Sequence, residues 1–484
     1  MNKRLVIRLQ GSILLIEALA MLPSLLIALY FGDEGDAMAF VKTIGLILLV
    51  AIPMHFLSRP DVTNLRAREG FVAVALAWLM LSVFGALPFL FSGVFDRFVD
   101  AFFETVSGFT TTGASVLTQF EGAPRGIMFW RSFTHWIGGM GVLVLTLALI
   151  PQMTGRASHL ARAESPGPSF SKVLPKMGDT AKILYLIYGA LTVLLFVLLV
   201  VIGKMSLYDA AIHAMSTAGT GGFSSHGQSI AAFNSPVVDV IVTIFMLIFG
   251  VNFTLYYRLI TGDFRSFFKS EELRWYIGIV TISILAITLI ILPQYGSLFT
   301  ALRYGSFQVC TIISTTGFMT ADFVLWPVAA QMILLLLMLI GSCAGSTAGG
   351  IKVVRVALLS KMIKREISHT IQPRKIEVVH FEGKGVDNKM LSQIAVFIGA
   401  YLTLIFLGTL LVSLDGKYDL LSHFTAALTC VSNVGPGLNA VGPTCNFAGY
   451  SPFAKYVLSL LMLCGRLELF PIYVLFHPAV WRRG

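Results

Sequence analysis

The chain has 484 residues, of which 56% are hydrophobic and only 12% are charged, and its mean hydropathy is +0.81. Soluble domains carry about 25% charged residues, so this composition excludes a soluble protein and predicts an all-α membrane protein with several spans. The net charge of +10 lies in short segments between apolar runs, which is typical of the positive-inside rule and argues against a nucleic-acid-binding surface.

Two apolar runs, Ile13–Tyr30 and Phe40–Leu57, open the chain, and each is long enough to cross most of a bilayer. The first run follows basic residues, as the apolar part of a signal peptide does. It is longer than a typical signal peptide allows, however, and Glu17 interrupts it. We therefore predict that residues 1–68 keep both runs as an N-terminal pair of transmembrane helices.

Four units follow the helix pair, at residues 69–152, 153–262, 263–360 and 390–484, the second opening with a cytoplasmic loop. Each is predicted to contain an outer spanning helix, a short helix, a glycine-ended hairpin and an inner spanning helix. The short helices have too few residues to cross a bilayer, so they must enter and leave on the same side. The predicted spanning helices, outer then inner in each unit, are Phe71–Phe91, Ile127–Ile150, Ala181–Gly203, Val237–Leu259, Tyr276–Leu292, Trp326–Gly350, Met390–Leu414 and Phe453–Phe476.

The four hairpins share three aligned positions. Each ends in glycine, with Thr or Asn two residues earlier and Ser or Thr six residues earlier. These residues are, by hairpin, Ser107, Thr111 and Gly113; Ser216, Thr220 and Gly222; Thr311, Thr315 and Gly317; and Thr429, Asn433 and Gly435. Such a recurrence predicts four quasi-equivalent units in a single chain.

Non-helical backbone is tolerated inside a bilayer only where it is buried in protein or lines a watery cavity, so the four hairpins predict a shared central pore. Rings of backbone carbonyls replace the hydration shell of K⁺ in potassium filters, and glycine lets carbonyls turn towards an axis. The alternative is close packing of small residues between helices. The predicted K⁺ filter comprises Thr110, Thr111, Thr112, Gly113, Ala218, Gly219, Thr220, Gly221, Gly222, Ser314, Thr315, Thr316, Gly317, Ser432, Asn433, Val434 and Gly435.

The short helices are expected to point their C-terminal ends, which carry partial negative charge, at this filter. Four acids near the short helices, Asp100, Glu104, Asp209 and Asp419, could add to the negative potential. For Asp209 and Asp419, helix capping is the competing interpretation.

Basic clusters follow each unit and lie on one side of the membrane if each unit crosses twice and its hairpin re-enters. This arrangement predicts ten spanning helices with both termini in the cytoplasm. Two cytoplasmic loops are long, at Met153–Thr180 and at residues 361–389. They are either solvated connectors or docking sites for an intracellular partner, and Ile376–Gly385 has the alternation and glycines of a small β-hairpin.

The third inner helix contains a run rich in glycine and small polar residues, Gly341–Gly350. Such a run forms a poor helix, so we predict an unwound, movable gate beneath the filter. Close packing of a continuous helix is the alternative. The predicted gate residues are Gly341, Gly345, Ser346, Thr347, Gly349 and Gly350.

Arg466 lies within the fourth inner helix, with Glu468 nearby. Ionisable residues at membrane depth are usually functional, so Arg466 is predicted to face the pore as a positive barrier. The alternative is a structural network with neighbouring helices, in which a direct bond to Glu468 is not expected because residues two apart do not face each other. For His135, packing against a carbonyl is favoured over a proton relay.

The sequence contains no Ser/His/Asp order, paired carboxylates or nucleotide-binding loop, so no enzymatic chemistry is predicted. Five cysteines form no CxxC pair and are expected to serve as small packing residues rather than as metal ligands or disulfides.

With these features the chain resembles the Trk/Ktr/HKT superfamily of potassium transporters, most closely its bacterial Trk-type membrane subunit. The resemblance covers essentially the whole chain. It rests on the four hairpins, His135–Gly141, the glycine-rich run and Gly465–Pro471, and the additional N-terminal helix pair is similar to the Trk branch.

The resemblance implies a homodimer in the bacterial inner membrane, with one pore in each subunit, that conducts K⁺ inward. It also implies a cytosolic, TrkA-like regulatory subunit that binds nucleotides and controls gating, whereas this chain itself binds K⁺ and no nucleotide. The fourth hairpin departs from the pattern because Asn433 replaces the Thr, which is expected to weaken the hydroxyl ring on one side.

Two other classes of function remain open. An ion-coupled K⁺ symporter, driven by H⁺ or Na⁺, would also have broken helices, although such carriers often contain inverted repeats and these four units run in one orientation. A membrane enzyme or receptor would show no ion flux.

Overall fold

A computed structural model describes residues 3–58, 67–141, 177–375 and 377–478. Most of the predicted Met153–Thr180 loop, the last nine residues of Ile127–Ile150 and the basic residues Arg482 and Arg483 lie outside these ranges. The five cysteines are all within them and are free thiols, of which four are buried and Cys445 is exposed.

The described residues fold almost entirely into α-helices, with one two-stranded antiparallel sheet. The first unit and the N-terminal pair comprise α1 (Lys3–Phe31), α2 (Glu34–Phe56), α3 (Ala67–Gly85), α4 (Leu87–Phe91), α5 (Phe98–Phe109) and α6 (Arg125–Gly139). The second unit and the link that follows it comprise α7 (Met177–Val201), α8 (Leu207–Ala218), α9 (Pro236–Phe249), α10 (Phe253–Ile260) and α11 (Phe264–Lys269).

The third unit comprises α12 (Glu271–Tyr295), α13 (Leu298–Ile313), α14 (Val328–Ile340) and α15 (Val353–Ile371). The strands β1 (His380–Phe381) and β2 (Lys384–Gly385) follow, and the fourth unit comprises α16 (Asn388–Ser413), α17 (Leu420–Ser432), α18 (Pro452–Arg466) and α19 (Phe470–Phe476). Short 3₁₀ turns at Ser229–Phe233, Phe323–Leu325 and Asn439–Val441 lie between the hairpins and the inner helices.

Among the described residues, six helices are long and apolar enough to cross a membrane, or seven if the bent pair α9–α10 counts as one span. They include α1 and α2, which the sequence predicts as an N-terminal pair, and the helices that it predicts as outer helices, which are α3 with α4, α7, α12 and α16. The chain is therefore a multi-pass α-helical membrane protein.

None of the inner helices is continuous over its described length, which was predicted for the third, at Gly341–Gly350, and not for the other three. Helix α6 ends at Gly139, and α9 turns through 91° into α10. Helix α14 ends at Ile340, and α18 ends at Arg466, with three residues between it and the start of α19 at Phe470. Glycine or left-handed residues stand at these breaks, and their contacts with one another explain why the helices end there.

The segment 361–389, which the sequence predicts as a cytoplasmic loop, is more ordered than predicted, since α15 occupies it as far as Ile371 and the predicted hairpin is confirmed at β1–β2. The hairpin docks on the first turn of α12. Glu382 accepts hydrogen bonds from Ser270 Oγ at 2.8 Å and from Glu271 N at 2.9 Å, and Lys361 bonds the Glu271 carboxylate. This segment is therefore not a plain solvated connector.

Candidate functional site

The four short helices α5, α8, α13 and α17 end in the same way. In each, the amide one residue before the aligned glycine donates to the carbonyl five residues earlier, which is the long bond of a Schellman C-cap. The pairs are Thr112 N to Ser107 O at 2.9 Å, Gly221 N to Ser216 O at 2.9 Å, Thr316 N to Thr311 O at 2.8 Å, and Val434 N to Thr429 O at 3.0 Å. The aligned positions six and two residues before each glycine therefore both belong to the Schellman cap that ends the short helix.

The residue two before each glycine has left-handed backbone, with φ of 55° at Thr111, 53° at Thr220, 56° at Thr315 and 54° at Asn433. Glycine or asparagine usually occupies this position of a Schellman cap. A β-branched residue there costs roughly 1–3 kcal/mol of strain, which persists only where the surrounding structure enforces it. Three threonines in this conformation are therefore an observed strain, and such strain is concentrated at functional sites.

The glycines themselves form a closed ring with their neighbours. A methyl group on Gly113 would overlap the carbonyl of Gly221 in the next hairpin. In the same way, a methyl group on Gly222 would overlap the carbonyl of Thr316, one on Gly317 that of Val434, and one on Gly435 that of Thr112 in the first hairpin. All four glycines have positive φ, between 78° and 101°. The four hairpins thus surround one space in chain order, with backbone against backbone at every junction.

Several predicted filter hydroxyls bond one another. Thr110 Oγ1 lies 2.8 Å from Thr112 Oγ1, and Ser314 Oγ lies 2.7 Å from Thr316 Oγ1. Ser432 Oγ bonds the hydroxyl of Tyr401 instead. These contacts hold the hairpins in shape, which leaves backbone carbonyls as the oxygens available in every hairpin.

Asn433 compensates for the Thr that the fourth hairpin lacks. Its side-chain amide donates to Thr112 Oγ1 at 2.9 Å and to Met462 O at 3.0 Å, so it ties the fourth hairpin to the first and to α18. Asparagine also tolerates left-handed backbone better than threonine. The fourth hairpin, at which the ring was expected to be weaker, is thus held to its neighbours by hydrogen bonds.

The second hairpin packs against α6. Ala218 ends α8, and the backbone of His135 lies so close to Gly219 that a side chain there would collide with it. The imidazole ring of His135 covers Gly221, stacks on Phe223 with ring centres 4.0 Å apart, and lies 2.7 Å from Gly108 O through Nδ1. His135 is thus packed between the first two hairpins, as favoured from the sequence.

The predicted gate residues lie in a loop between α14 and α15. Gly341, Gly345 and Gly350 have φ of 69°, 70° and 77°, which is why the helix cannot continue. Gly349 N donates to Thr315 Oγ1 at 2.7 Å, and a side chain on Gly349 would collide with Ser432 O. The loop therefore lies directly against the third and fourth hairpins.

The break between α9 and α10 holds this loop from the other side, and the sequence analysis missed it. Cys343 N donates to Gly250 O and Phe253 N donates to Gly345 O, both at 3.1 Å. Asn252 caps α10 through Thr254 N at 2.9 Å. The available signal was Gly250-Val251-Asn252 within an otherwise apolar run, a glycine followed by a favourable N-cap.

Arg466 joins three elements beneath the hairpins. Its guanidinium donates to Thr347 O at 2.9 Å in the loop, and to Gly138 O at 2.5 Å and Gly139 O at 2.7 Å at the end of α6. Glu468, two residues further along the chain, binds Arg355 of α15 at 2.6 Å. Arg466 is thus a member of a structural network, and its role as a positive barrier in the pore stays a prediction.

The remaining acids are individually satisfied. Asp419 caps α17 through Ser422 N at 3.3 Å, and the Ser422 hydroxyl holds the pKa of this carboxyl below its ordinary value. Asp100 pairs with Lys455 at 2.5 Å, and Glu104 pairs with Arg131 at 2.6 Å. Asp209 bonds Ser206 and Ser225, each at 2.7 Å. No group of three His, Cys, Asp or Glu residues within the described ranges could hold a metal ion.

Comparison with known proteins gives a consistent result. A family model described as TrkH, cation transport protein, matches residues 37–483. The chain is 37% identical over 487 residues to the Trk system potassium uptake protein TrkH of Salmonella typhimurium and 36% identical to that of Escherichia coli K12, in each case with 100% of both chains covered. It matches the crystal structure of the potassium transporter TrkH from Vibrio parahaemolyticus with a TM-score of 0.90 and 34% identity, over 100% of both chains.

Proposed function

Because the chain belongs to the TrkH family of cation transport proteins, and so is a transporter rather than an enzyme, we propose that it takes up K⁺ through a gated, channel-like pore. The ion would pass through the ring formed by the four hairpins. Carbonyl oxygens around Gly113, Gly222, Gly317 and Gly435 would replace its hydration shell.

The observation that carries this proposal is the closed ring of backbone. Four glycines with positive φ each contact the carbonyl before the next glycine, and four helix C-terminal ends, each with partial negative charge, lead to them. Carbonyl oxygens are hard ligands suited to alkali cations. The buried hydroxyls of Ser107, Ser216 and Thr311, which make no hydrogen bond to the described residues, add polar lining near the same helix ends.

Four quasi-equivalent units in one chain explain the ring most simply, with one hairpin from each of residues 69–152, 153–262, 263–360 and 390–484. In this proposal the protein crosses the bacterial inner membrane ten times, with both termini in the cytoplasm. Each broken inner helix would count as one crossing, and the breaks would lie beside the pore, where irregular backbone is tolerated.

The gate in this proposal is the loop Gly341–Gly350, with Arg466 as the cationic barrier next to it. The loop is held by hydrogen bonds to Thr315, Gly250 and Arg466, each of which is individually reversible at a net cost of about 1 kcal/mol. The loop could therefore move without unfolding the hairpins above it.

Regulation is assigned to partners, following the names of the relatives, which describe a Trk system. We propose a homodimer with one pore per subunit and a cytosolic, TrkA-like subunit that binds the nucleotide. The segment around Glu382 follows α15 in the chain and packs on the start of α12. It is a surface on which such a subunit could act.

The alternative is a secondary symporter that couples K⁺ to H⁺ or Na⁺. Recordings from the purified protein in planar bilayers would distinguish the two mechanisms. Discrete unitary K⁺ currents would support the pore, whereas K⁺ flux that requires a second ion and shows no unitary openings would overturn it.

A flux assay tests the rest of the proposal. We expect liposomes containing the protein to take up ⁸⁶Rb⁺, with K⁺ competing more strongly than Na⁺, and the rate to change when a TrkA-like subunit and a nucleotide are added. Equal competition by Na⁺ and K⁺ would contradict a potassium filter.

A further inference from the structure

A fourth aligned position becomes visible only in the structure. Nine residues before the ring glycine stand Glu104, His213 and Gln308 in the first three units, and all three side chains are buried. Their residue types differ, so they form no motif in the sequence. Each nevertheless bonds the chain segment that leaves the ring.

In the first unit, both carboxylate oxygens of Glu104 are engaged. Ser115 Oγ donates to one oxygen at 2.9 Å, and Val116 N donates to the other at 2.8 Å. Ser115 stands two residues after Gly113. The carboxylate therefore ties the first residues after the ring to α5.

The second and third units repeat the contact with neutral groups. His213 Nε2 lies 2.9 Å from Ser224 Oγ, and Ser224 stands two residues after Gly222. Gln308 Nε2 donates to Ala321 O at 3.1 Å, four residues after Gly317. The same place is thus filled by an acid, an imidazole and an amide.

The fourth unit has alanine at this position, Ala426, and the preceding residue takes over the contact. Leu438 N donates to Thr425 Oγ1 at 3.1 Å, three residues after Gly435. A threonine can perform this task because the strand approaches α17 closely there. Every segment that leaves the ring is thus bonded to the short helix that precedes it.

We call each of these contacts between a short helix and the segment after the ring a brace. The brace made by Glu104 extends to the second hairpin through Arg131 of α6. Arg131 Nε lies 2.6 Å from Glu104, Arg131 Nη1 donates to Ser224 O at 3.1 Å, and the guanidinium lies 3.5 Å from the centre of the Phe223 ring. Ser224 is also the residue that His213 bonds. The Glu104–Arg131 pair therefore connects the segments that follow Gly113 and Gly222 in the first two hairpins.

We propose that Glu104, His213, Gln308 and Thr425 are positioning residues that set the width of the ring, with Arg131 joining the first two braces. The proposal rests on the proposed potassium pore. The ring carbonyls can be spaced for K⁺ only if the strands that follow them stay in place. Without the braces, the ring would adapt to the smaller Na⁺, and discrimination would fall while transport continued.

The test measures the K⁺ to Na⁺ permeability ratio of the full-length protein in liposomes under bi-ionic conditions. Glu104→Gln keeps the shape but leaves Arg131 without its counter-charge, and Gln308→Leu removes a neutral brace at nearly constant volume. We expect the ratio to fall about tenfold or more in Glu104→Gln and about threefold in Gln308→Leu. For the second brace, His213→Gln keeps a group able to bond Ser224 and is expected to retain more selectivity than His213→Leu.

A matched control is the pair Arg303–Asp239, a largely buried ion pair between α13 and α9 at 2.7 Å that does not touch a strand leaving the ring. Arg303→Gln is expected to lower thermal stability and leave the permeability ratio unchanged, because a merely structural defect lowers the number of active molecules and not their selectivity. The proposal is overturned if folded Gln308→Leu and His213→Leu keep the wild-type ratio, or if Arg303→Gln alters it equally. If the wild-type protein itself fails to prefer K⁺, the proposed function fails instead.

Discussion

The ring of hairpins and the region beneath it are built on opposite principles. The ring takes the same backbone conformation from four units, with matching φ values at the residues two before each glycine. The lower region takes something different from each unit: the ends of α6 and α9, the loop after α14, and Arg466 of α18. An ion needs equivalent ligands on all sides, whereas a movable obstruction needs only one element that moves.

The two regions also differ in what holds them. At the ring, backbone meets backbone so closely that no side chain fits at Gly113 or Gly222. Below it, the loop makes one equally close backbone approach to the hairpins, at Gly349 against Ser432 O, and is otherwise held to them by hydrogen bonds such as Gly349 N to Thr315 Oγ1. Substitutions in the ring should therefore alter selectivity, and substitutions beneath it should alter the rate alone.

The largest effect is expected from Gly113→Ser. The new Cβ would overlap Gly221 O, and positive φ adds strain, so we expect the K⁺ to Na⁺ permeability ratio to fall more than tenfold as Na⁺ permeation rises. Bi-ionic flux in liposomes measures the ratio. Gly227→Ser is the control, because a Cβ there has only ordinary contacts, the nearest at 3.5 Å; an unchanged ratio in Gly113→Ser would argue against a filter at this glycine.

Shortening the loop is expected to have the next largest effect. Deletion of Ser346 and Thr347 removes the carbonyl that Arg466 binds and draws the loop away from the ring. We expect ⁸⁶Rb⁺ flux to increase about tenfold with the K⁺ to Na⁺ ratio preserved. A flux that is level or lower would contradict the gate, and a changed ratio would contradict the separation between the two regions.

Arg466→Gln is expected to raise flux severalfold. The substitution removes a positive charge and the contacts that join the loop to Gly138 and Gly139. Arg466→Lys is the informative control, because it keeps the charge and cannot bridge three carbonyls in the same way. If both variants raise flux equally, the hydrogen bonds of Arg466 to the three carbonyls limit the flux. If only Arg466→Gln raises it, the positive charge does. Wild-type flux in both would exclude a barrier role.

Glu468→Gln should have a smaller effect. It breaks the pair with Arg355 that ties α15 to the break after α18, and a partly exposed ion pair contributes up to about 1 kcal/mol, or roughly a fivefold change in an equilibrium. We expect open probability in bilayer recordings to change by that factor or less. The double variant with Arg355→Gln should behave like the single one, and additive effects would show that the two residues act independently.

The smallest effect is expected from Asp419→Ala, which removes an exposed N-cap and should cost about 1 kcal/mol of stability with no change in selectivity. The carboxylate has a pKa below its ordinary value in the folded protein, so it stabilises the fold at neutral pH. This contribution is lost as the pH falls through the lowered pKa. The difference in thermal stability between variant and wild type should therefore be larger at pH 7 than at pH 3, as thermal melts at the two pH values would show.

Much of the ring could be predicted because its determinants are local. A left-handed residue and a glycine two positions later terminate a helix in a defined way, so the spacing of Thr111 and Gly113 reports a backbone conformation wherever it recurs. The interruption at Gly341–Gly350 was predictable for the same reason, since three glycines spaced by four residues and one adjacent pair weaken a helix.

The braces could not be predicted, because Glu104, His213 and Gln308 occupy the same position in their units but have different side-chain types. The break at Gly250–Asn252 was missed because the apolar run continues across it. In both cases the deciding contact joins different parts of the chain, as when Cys343 meets Gly250. Periodicity within a segment carries no information about such a partner.

The sequence by itself determined that this protein is a multi-pass helical membrane protein with four similar hairpins, because apolar length and turn chemistry are properties of short stretches of chain. Only the tertiary structure decided that the hairpins close into a ring in chain order, that Arg466 binds carbonyls of the loop and α6, and that Glu468 belongs to Arg355. These arrangements depend on which distant groups satisfy one another's hydrogen bonds and charges once the helices have packed.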